Sequence, residues 1–194
     1  MKFDELSEKA QQYLIEKASR VYSDILYEEI NQDVETIRDR VYDYGFAITS
    51  MEYDTDKRYF YCYMHYENHN SSYKKVKKDY KNVTKNKDIV EIVQKLVNLN
   101  KPYFYQLYAD TWTTNRGMGI SVSKMDYVPC KELTKEIEDD VKDLIQQFCN
   151  WFLQEIINLE EFYFSRDNLI ETAGYQDCYE FEEDEFGSVT ETLV

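Results

Sequence analysis

Proline and glycine are nearly missing, at 2 and 5 residues in a chain of 194. Sharp turns are therefore scarce and long regular elements are expected. The four cysteines, Cys62, Cys130, Cys149 and Cys178, are widely spaced and form no C-x-x-C pair. That usage points to a reduced, cytoplasmic protein. No apolar stretch approaches the ~20 residues needed to span a bilayer. The opening Met1-Lys2-Phe3-Asp4 is followed by acidic, helix-patterned sequence rather than an apolar segment, so no signal peptide is expected.

Catalytic signatures are missing too. There is no G-x-S-x-G, and "NRGMG" (115–119) lacks the lysine and the strand–helix context of a phosphate-binding loop. It reads as a hairpin turn. An EF-hand centred on Gly187 would place Phe186 and Leu193 at ligand positions, and neither side chain can coordinate calcium. Cys62-x-x-His65-x-x-x-His69 holds both histidines. On a strand, residues 62 and 65 point to opposite faces, so the spacing argues against a metal site. Cys149 falls beside the apolar stripe of a helix and reads as a core thiol. No cofactor, metal or catalytic residue is expected.

What is abundant is acid and tyrosine. There are 38 Asp/Glu against 23 Lys/Arg, for a net charge of −15, and 19 tyrosines. Residues 1–70 carry 15 acidic and 8 basic side chains, 71–129 carry 5 and 11, and 130–194 carry 18 and 4. The last third thus holds nearly the whole imbalance. Such a chain repels nucleic acid in bulk and suits a basic protein partner, including one that itself binds nucleic acid. Hydrophobic residues make up 43%, enough for a core, and the length suits one α+β domain spanning 1–194.

Periodicity predicts a helix over 4–21 with Ser7 as N-cap and Ala10, Tyr13, Leu14 and Ala18 on one face. A second helix is expected over 24–44, with Ile25, Leu26, Ile30, Val34, Ile37 and Val41 inward and Gly45 as terminator. Strands are expected at 46–53 and 58–68, the second aromatic on both faces and therefore central or covered on both sides. Residues 71–87, with seven lysines between Lys74 and Lys87, read as a mobile loop. Its lysines suit solvent or an acidic segment of the chain better than phosphate. A helix capped by Asn86 follows over 87–99, then strands at 103–112 and 118–128. Two hairpins separated by a helix imply an antiparallel sheet of four to five strands. A long final helix is expected over 131–162, on a stripe of Leu133, Ile137, Val141, Leu144, Phe148, Phe152, Ile156 and Leu159. A short helical turn at 166–173 and an acidic C-terminal segment, 174–194, close the chain, with "CYEFEEDEFG" (178–187) reading as a brief strand and turn.

Two acidic groups are the candidate partner-binding residues. On the long helix they are Glu132, Glu136, Asp139, Asp140 and Asp143, away from the apolar stripe. Carboxylates at i and i+4 stand ~6 Å apart along the axis, close to the phosphate spacing of a nucleic-acid strand. Near the C-terminus they are Tyr179, Glu180, Phe181, Glu182, Glu183, Asp184 and Glu185, with Tyr175, Tyr179, Phe181 and Phe186 as aromatic anchors.

"FDELSEKAQQYLIEKA" (3–18) resembles the opening of a group of small phage and prophage proteins that begin with an F-D-E-L-S-x-x-A helix. "LEEFYFSRDNLIETAGYQDCYEFEEDEFG" (159–187) is similar to that group's close, a helix, a serine-led turn, an I-E segment, and Y-E-F with acidic residues and Gly. The resemblance implies a mobile-element origin and a non-enzymatic inhibitor of host defence, such as a type II anti-CRISPR. It would act in the host cytoplasm on the cationic surface of an effector such as Cas9 with its guide RNA. Direct nucleic-acid binding and membrane association are not expected, and a homodimer is kept open. The alternatives are a phage structural or assembly protein that self-associates through the long helix, and an enzyme acting on a nucleotide.

Overall fold

The computed structural model describes residues 1–68, 72–79, 87–115, 117–125, 132–184 and 188–193. The described architecture is α+β. In chain order it runs α1 (Glu8–Tyr42), β1 (Phe46–Asp54), β2 (Tyr59–Glu67), α2 (Ser72–Asp79), α3 (Lys87–Asn100), β3 (Leu107–Thr114), β4 (Gly117–Lys124), α4 (Lys135–Tyr163), α5 (Arg166–Thr172), β5 (Tyr179–Glu183) and β6 (Val189–Leu193). The strands form a four-stranded sheet in the order β1-β2-β3-β4 and a separate β5–β6 hairpin. Among the described residues, no helix is long and apolar enough to cross a membrane. The chain divides into two compact units, Val34–Ile156 and Met1–Asp33 with Ile157–Val194.

In the unit Val34–Ile156, every strand pairing is antiparallel, and β2 is central as its aromatic pattern implies. Alternation turns Phe60, Cys62, Met64 and Tyr66 of β2 inward, and all four are buried. They share that face with Phe46 and Ile48 of β1 and with Leu107, Ala109 and Thr111 of β3. Helix α4 covers it, with Phe148 stacked on Phe46 at 3.8 Å and Phe152 on Phe60 at 4.9 Å between ring centroids. Aromatic pairs of this kind contribute roughly 0.5–1.5 kcal/mol beyond the area they bury. Gly45 ends α1 at φ +103°, and a β-carbon there would lie 2.4 Å from the Glu67 carbonyl oxygen. Only glycine meets both conditions.

The second unit is built on the first part of α1. Phe3, Leu6, Ala10, Leu14 and Ala18 bury against Leu169, Ile170 and Ala173 of the α5 segment and against Tyr175 and Phe181. Ser7 caps α1, its hydroxyl accepting from the Ala10 amide at 3.2 Å. Met1 and Phe181 exchange two backbone hydrogen bonds, so the first residue continues the ladder of β5.

Several expectations are corrected. Helices 4–21 and 24–44 are one continuous helix. Neither glycine nor proline interrupts residues 8–42, and the Ser23 hydroxyl donates back to the Arg20 carbonyl at 3.1 Å instead of capping a new helix. Ile25 and Tyr13, expected inward, are 53% and 56% exposed. Within the expected lysine loop, Ser72–Asp79 is helix α2. Its Val76 is fully buried, the Tyr44 hydroxyl donates to Asp79 at 2.8 Å, and Lys75 pairs with Asp43 at 2.6 Å. The rest of that loop from 80 to 86, with the Asn86 cap, lies outside the described residues. Strand β3 starts at Leu107 rather than 103. Pro102 sits in a 3₁₀ turn, and Phe104 and Tyr105 take positive φ of 52° and 62°. Buried Asn100 holds this turn by accepting from the Leu107 amide at 2.9 Å. The long helix begins at Lys135 behind a Thr134 cap, and it is not the last element.

Candidate acidic contact surfaces

Each unit carries one of the two expected acidic groups. On α4, Glu136, Asp139, Asp140 and Asp143 are exposed, as is Glu132 just before the helix. The helix buries Val141, Leu144, Ile145, Phe148 and Cys149 on its other side, which fixes the acids outward. They are not equivalent. Asp139 pairs with Lys135 at 2.8 Å, and Glu138 bonds Lys142. The Lys142 hydrogen bond, with the nearby Lys135 charge, holds the Glu138 carboxyl below the usual carboxylate range. Glu136, Asp140 and Asp143 have no ion-pair partner among the described residues, and Asp143 accepts instead from the Gln147 amide at 2.6 Å. At i, i+4 and i+7 these three form a strip about 10 Å long. Asp140 and Asp143 also line a cleft of about 400 Å³ with Lys95, Asn98, Leu99, Leu144 and Gln147.

The C-terminal acids are sorted by strand alternation. In β5, Phe181 faces the core while Glu180 and Glu182 face solvent, opposite Thr192 and Thr190 of β6. Residues 179, 181 and 183 therefore share the inward side. Phe181 is 1% exposed and packs edge-on to Phe3 and Tyr175. Tyr175 is 4% exposed, and Tyr179 is half-buried against it. Phe181 and Tyr175 are core residues, so the expected anchoring role does not hold for them. The brief strand expected here is β5, but its inward side packs on Phe3, far away along the chain, which no local pattern reveals.

Glu183 is likewise an internal fastener. It accepts from both the amide (2.9 Å) and the hydroxyl of Ser7, so it closes the cap of α1 from outside the helix. Those two bonds hold its carboxyl below the usual range. Glu191 of β6, which sequence reasoning did not single out, pairs with Lys17 at 2.6 Å, and that contact raises the Lys17 pKa. Asp184 accepts from the Ser188 amide at 2.8 Å. Glu185 and Phe186 lie outside the described residues. Among the described residues of this group, Glu180 and Glu182 are the carboxylates set outward for a partner.

Cys62 and His65 occupy opposite faces of β2, and His65 bonds Asp110 through Nδ1 at 2.8 Å. His69 lies outside the described residues, and no metal-ligating cluster of three occurs among those described. Cys149 is buried beside Cys62, and its thiol pKa is pushed up by that contact and by burial. Comparison with protein-family models, with curated proteins and with solved structures finds no match to this chain.

Proposed function

We propose that the chain is a non-enzymatic inhibitor of the phage type, docking outward carboxylates onto the cationic nucleic-acid-binding surface of a host defence nuclease. A CRISPR effector such as Cas9 with its guide RNA is the target class that the sequence resemblance suggests. The observation that carries the reading is the strip Glu136–Asp140–Asp143, without ion-pair partners among the described residues and held outward by a buried helix face. Glu180 and Glu182, set outward by Phe181, add a second pair. Charge of this kind steers association from beyond contact and fades over a Debye length of about 8 Å at physiological salt.

The test is a pulldown against guide-loaded and guide-free Cas9-type effectors at low and high salt. Capture that falls with salt, and falls further in Glu136→Gln/Asp140→Asn/Asp143→Asn, supports the reading. Salt-insensitive capture, or no capture by any defence nuclease, removes it. The competing reading, an assembly protein that self-associates through the long helix, draws on Phe162 near the end of α4, which is 60% exposed. A stable oligomer in solution, with no affinity for a nuclease, would favour it.

A further inference from the structure

The face of the four-stranded sheet opposite α4 carries none of the carboxylates of the α4 strip, and its composition is unusual. Alternation along β2 sets Tyr59, Tyr61 and Tyr63 in a row on this face, about 7 Å apart. Tyr59 and Tyr61 stack at 4.9 Å, and Tyr63 is 46% exposed. Trp112 of β3 joins them. It stands opposite Gly119 of β4, where a β-carbon would lie 2.3 Å from the indole. The missing side chain lets the ring rest directly on the strand, and Trp112 remains 40% exposed. Exposed tryptophan and tyrosine gathered on one face mark an interaction surface.

Charge narrows the partner. Glu52 opposes Tyr61 across the β1–β2 ladder and accepts from the Tyr59 hydroxyl at 3.2 Å. Asp110 stands next along β3 on the same side as Trp112, with its side chain 47% exposed. Among the described residues, neither carboxylate has a lysine or arginine in ion-pair contact; Asp110 meets only His65. Open rings beside carboxylates without a lysine or arginine partner among the described residues repel phosphates and suit a planar cation. A guanidinium can stack on an aromatic face and pair with a carboxylate at once, which an ammonium does less well.

We propose that this face docks an arginine-bearing segment of a partner protein, guanidinium groups lying on Tyr61, Tyr63 and Trp112 and pairing with Glu52 and Asp110. The surface belongs to the unit Val34–Ile156 and is independent of the carboxylate strip on α4.

The experiment titrates the full chain with two synthetic peptides of equal charge, alternating Gly-Arg and alternating Gly-Lys, and with an oligothymidylate. Binding is read by Trp fluorescence and by amide NMR shifts. The expected result is about five- to tenfold tighter binding of the arginine peptide, with shifts mapping to β2 and β3. That preference should vanish in Tyr61→Ser/Tyr63→Ser, while Glu136→Gln/Asp140→Asn/Asp143→Asn should keep it. Equal affinity for the two peptides overturns the proposal. So do shifts confined to α4 or the β5–β6 hairpin, tighter binding of the oligothymidylate, or dimerisation of the free chain that protects β2. Should the double variant fail to fold, the peptide preference and shift map of the wild-type chain still decide between these outcomes.

Discussion

Phe181→Ala tests the division of the acidic segment into inward and outward residues. Three kinds of contact hold the β5–β6 hairpin: the Met1 backbone pairing, the Glu183–Ser7 and Glu191–Lys17 contacts, and the buried Phe181 ring. The Lys17 side chain is 45% exposed, so its pair with Glu191 is worth well under ~1 kcal/mol once solvent screening is counted. Truncating a fully buried phenylalanine costs about 3–5 kcal/mol. The ring therefore dominates, and its loss should free the hairpin. Trp fluorescence is blind to the event, because Trp112 and Trp151 both belong to the other unit. Hydrogen exchange followed by peptide mass spectrometry resolves it. At about 1.4 kcal/mol per decade, amides of β5 and of the start of α1 should exchange roughly a hundredfold to a few thousandfold faster. Glu182→Ala, one residue along and outward, should leave exchange unchanged. If the two variants behave alike, or if Phe181→Ala accelerates exchange less than about fivefold, Phe181 does not anchor this unit and the alternation argument fails.

Gly45→Ala should cost more than the ~1 kcal/mol typical of a helix-terminal glycine, because the new methyl meets a backbone oxygen that cannot swing aside; urea denaturation followed by Trp fluorescence measures it. Glu183 has its pKa lowered by Ser7, so the stability it lends is complete above its ordinary value of 4.5 and is lost as pH falls through the lower folded value. Hairpin exchange should therefore accelerate below about pH 4.5 after correction for intrinsic rates, and Glu183→Gln should remove most of that pH dependence. A maleimide should label exposed Cys178 in the native chain and spare buried Cys62 and Cys149, read peptide by peptide by mass spectrometry.

How far the sequence could be read varied with the kind of signal. The four-stranded sheet was legible because two hairpins are separated by a helix and β2 is aromatic on both faces, as suits an inner strand, and the hairpin turns needed no long-range knowledge. The buried stripe of α4 followed from three- and four-residue spacing, and Val141, Leu144, Phe148, Phe152 and Ile156 are all buried. The break expected between the two N-terminal helices failed for a local reason, the Ser23 hydroxyl bonding a carbonyl within the same helix. The other misses were non-local. Ser72–Asp79 looks like a solvated lysine run until Val76 is seen to be buried. Glu183 and Glu191 have partners more than 170 positions away, which no local pattern reveals.

The same non-local contacts bear on how much charge is available to a partner. Density along the chain makes the stretch from Glu180 to Glu185 look like the principal contact. Pairing reverses that order. A carboxylate already bonded to a serine cap or a lysine must give up that bond before it can meet an incoming cation, and the exchange returns little net free energy. Glu183, Glu191, Glu138 and Asp139 are engaged in this way. Glu136, Asp140, Glu52 and Asp110 form no ion pair with lysine or arginine among the described residues, and Asp110 meets a histidine instead. Both proposed surfaces therefore rest chiefly on Val34–Ile156, the unit that holds none of the acidic C-terminal segment 174–194. If charge-neutral substitutions at Glu136, Asp140, Glu52 and Asp110 left partner binding intact while those at Glu183 and Glu191 abolished it without loosening the hairpin, sequence density and not unpaired geometry would be the better guide.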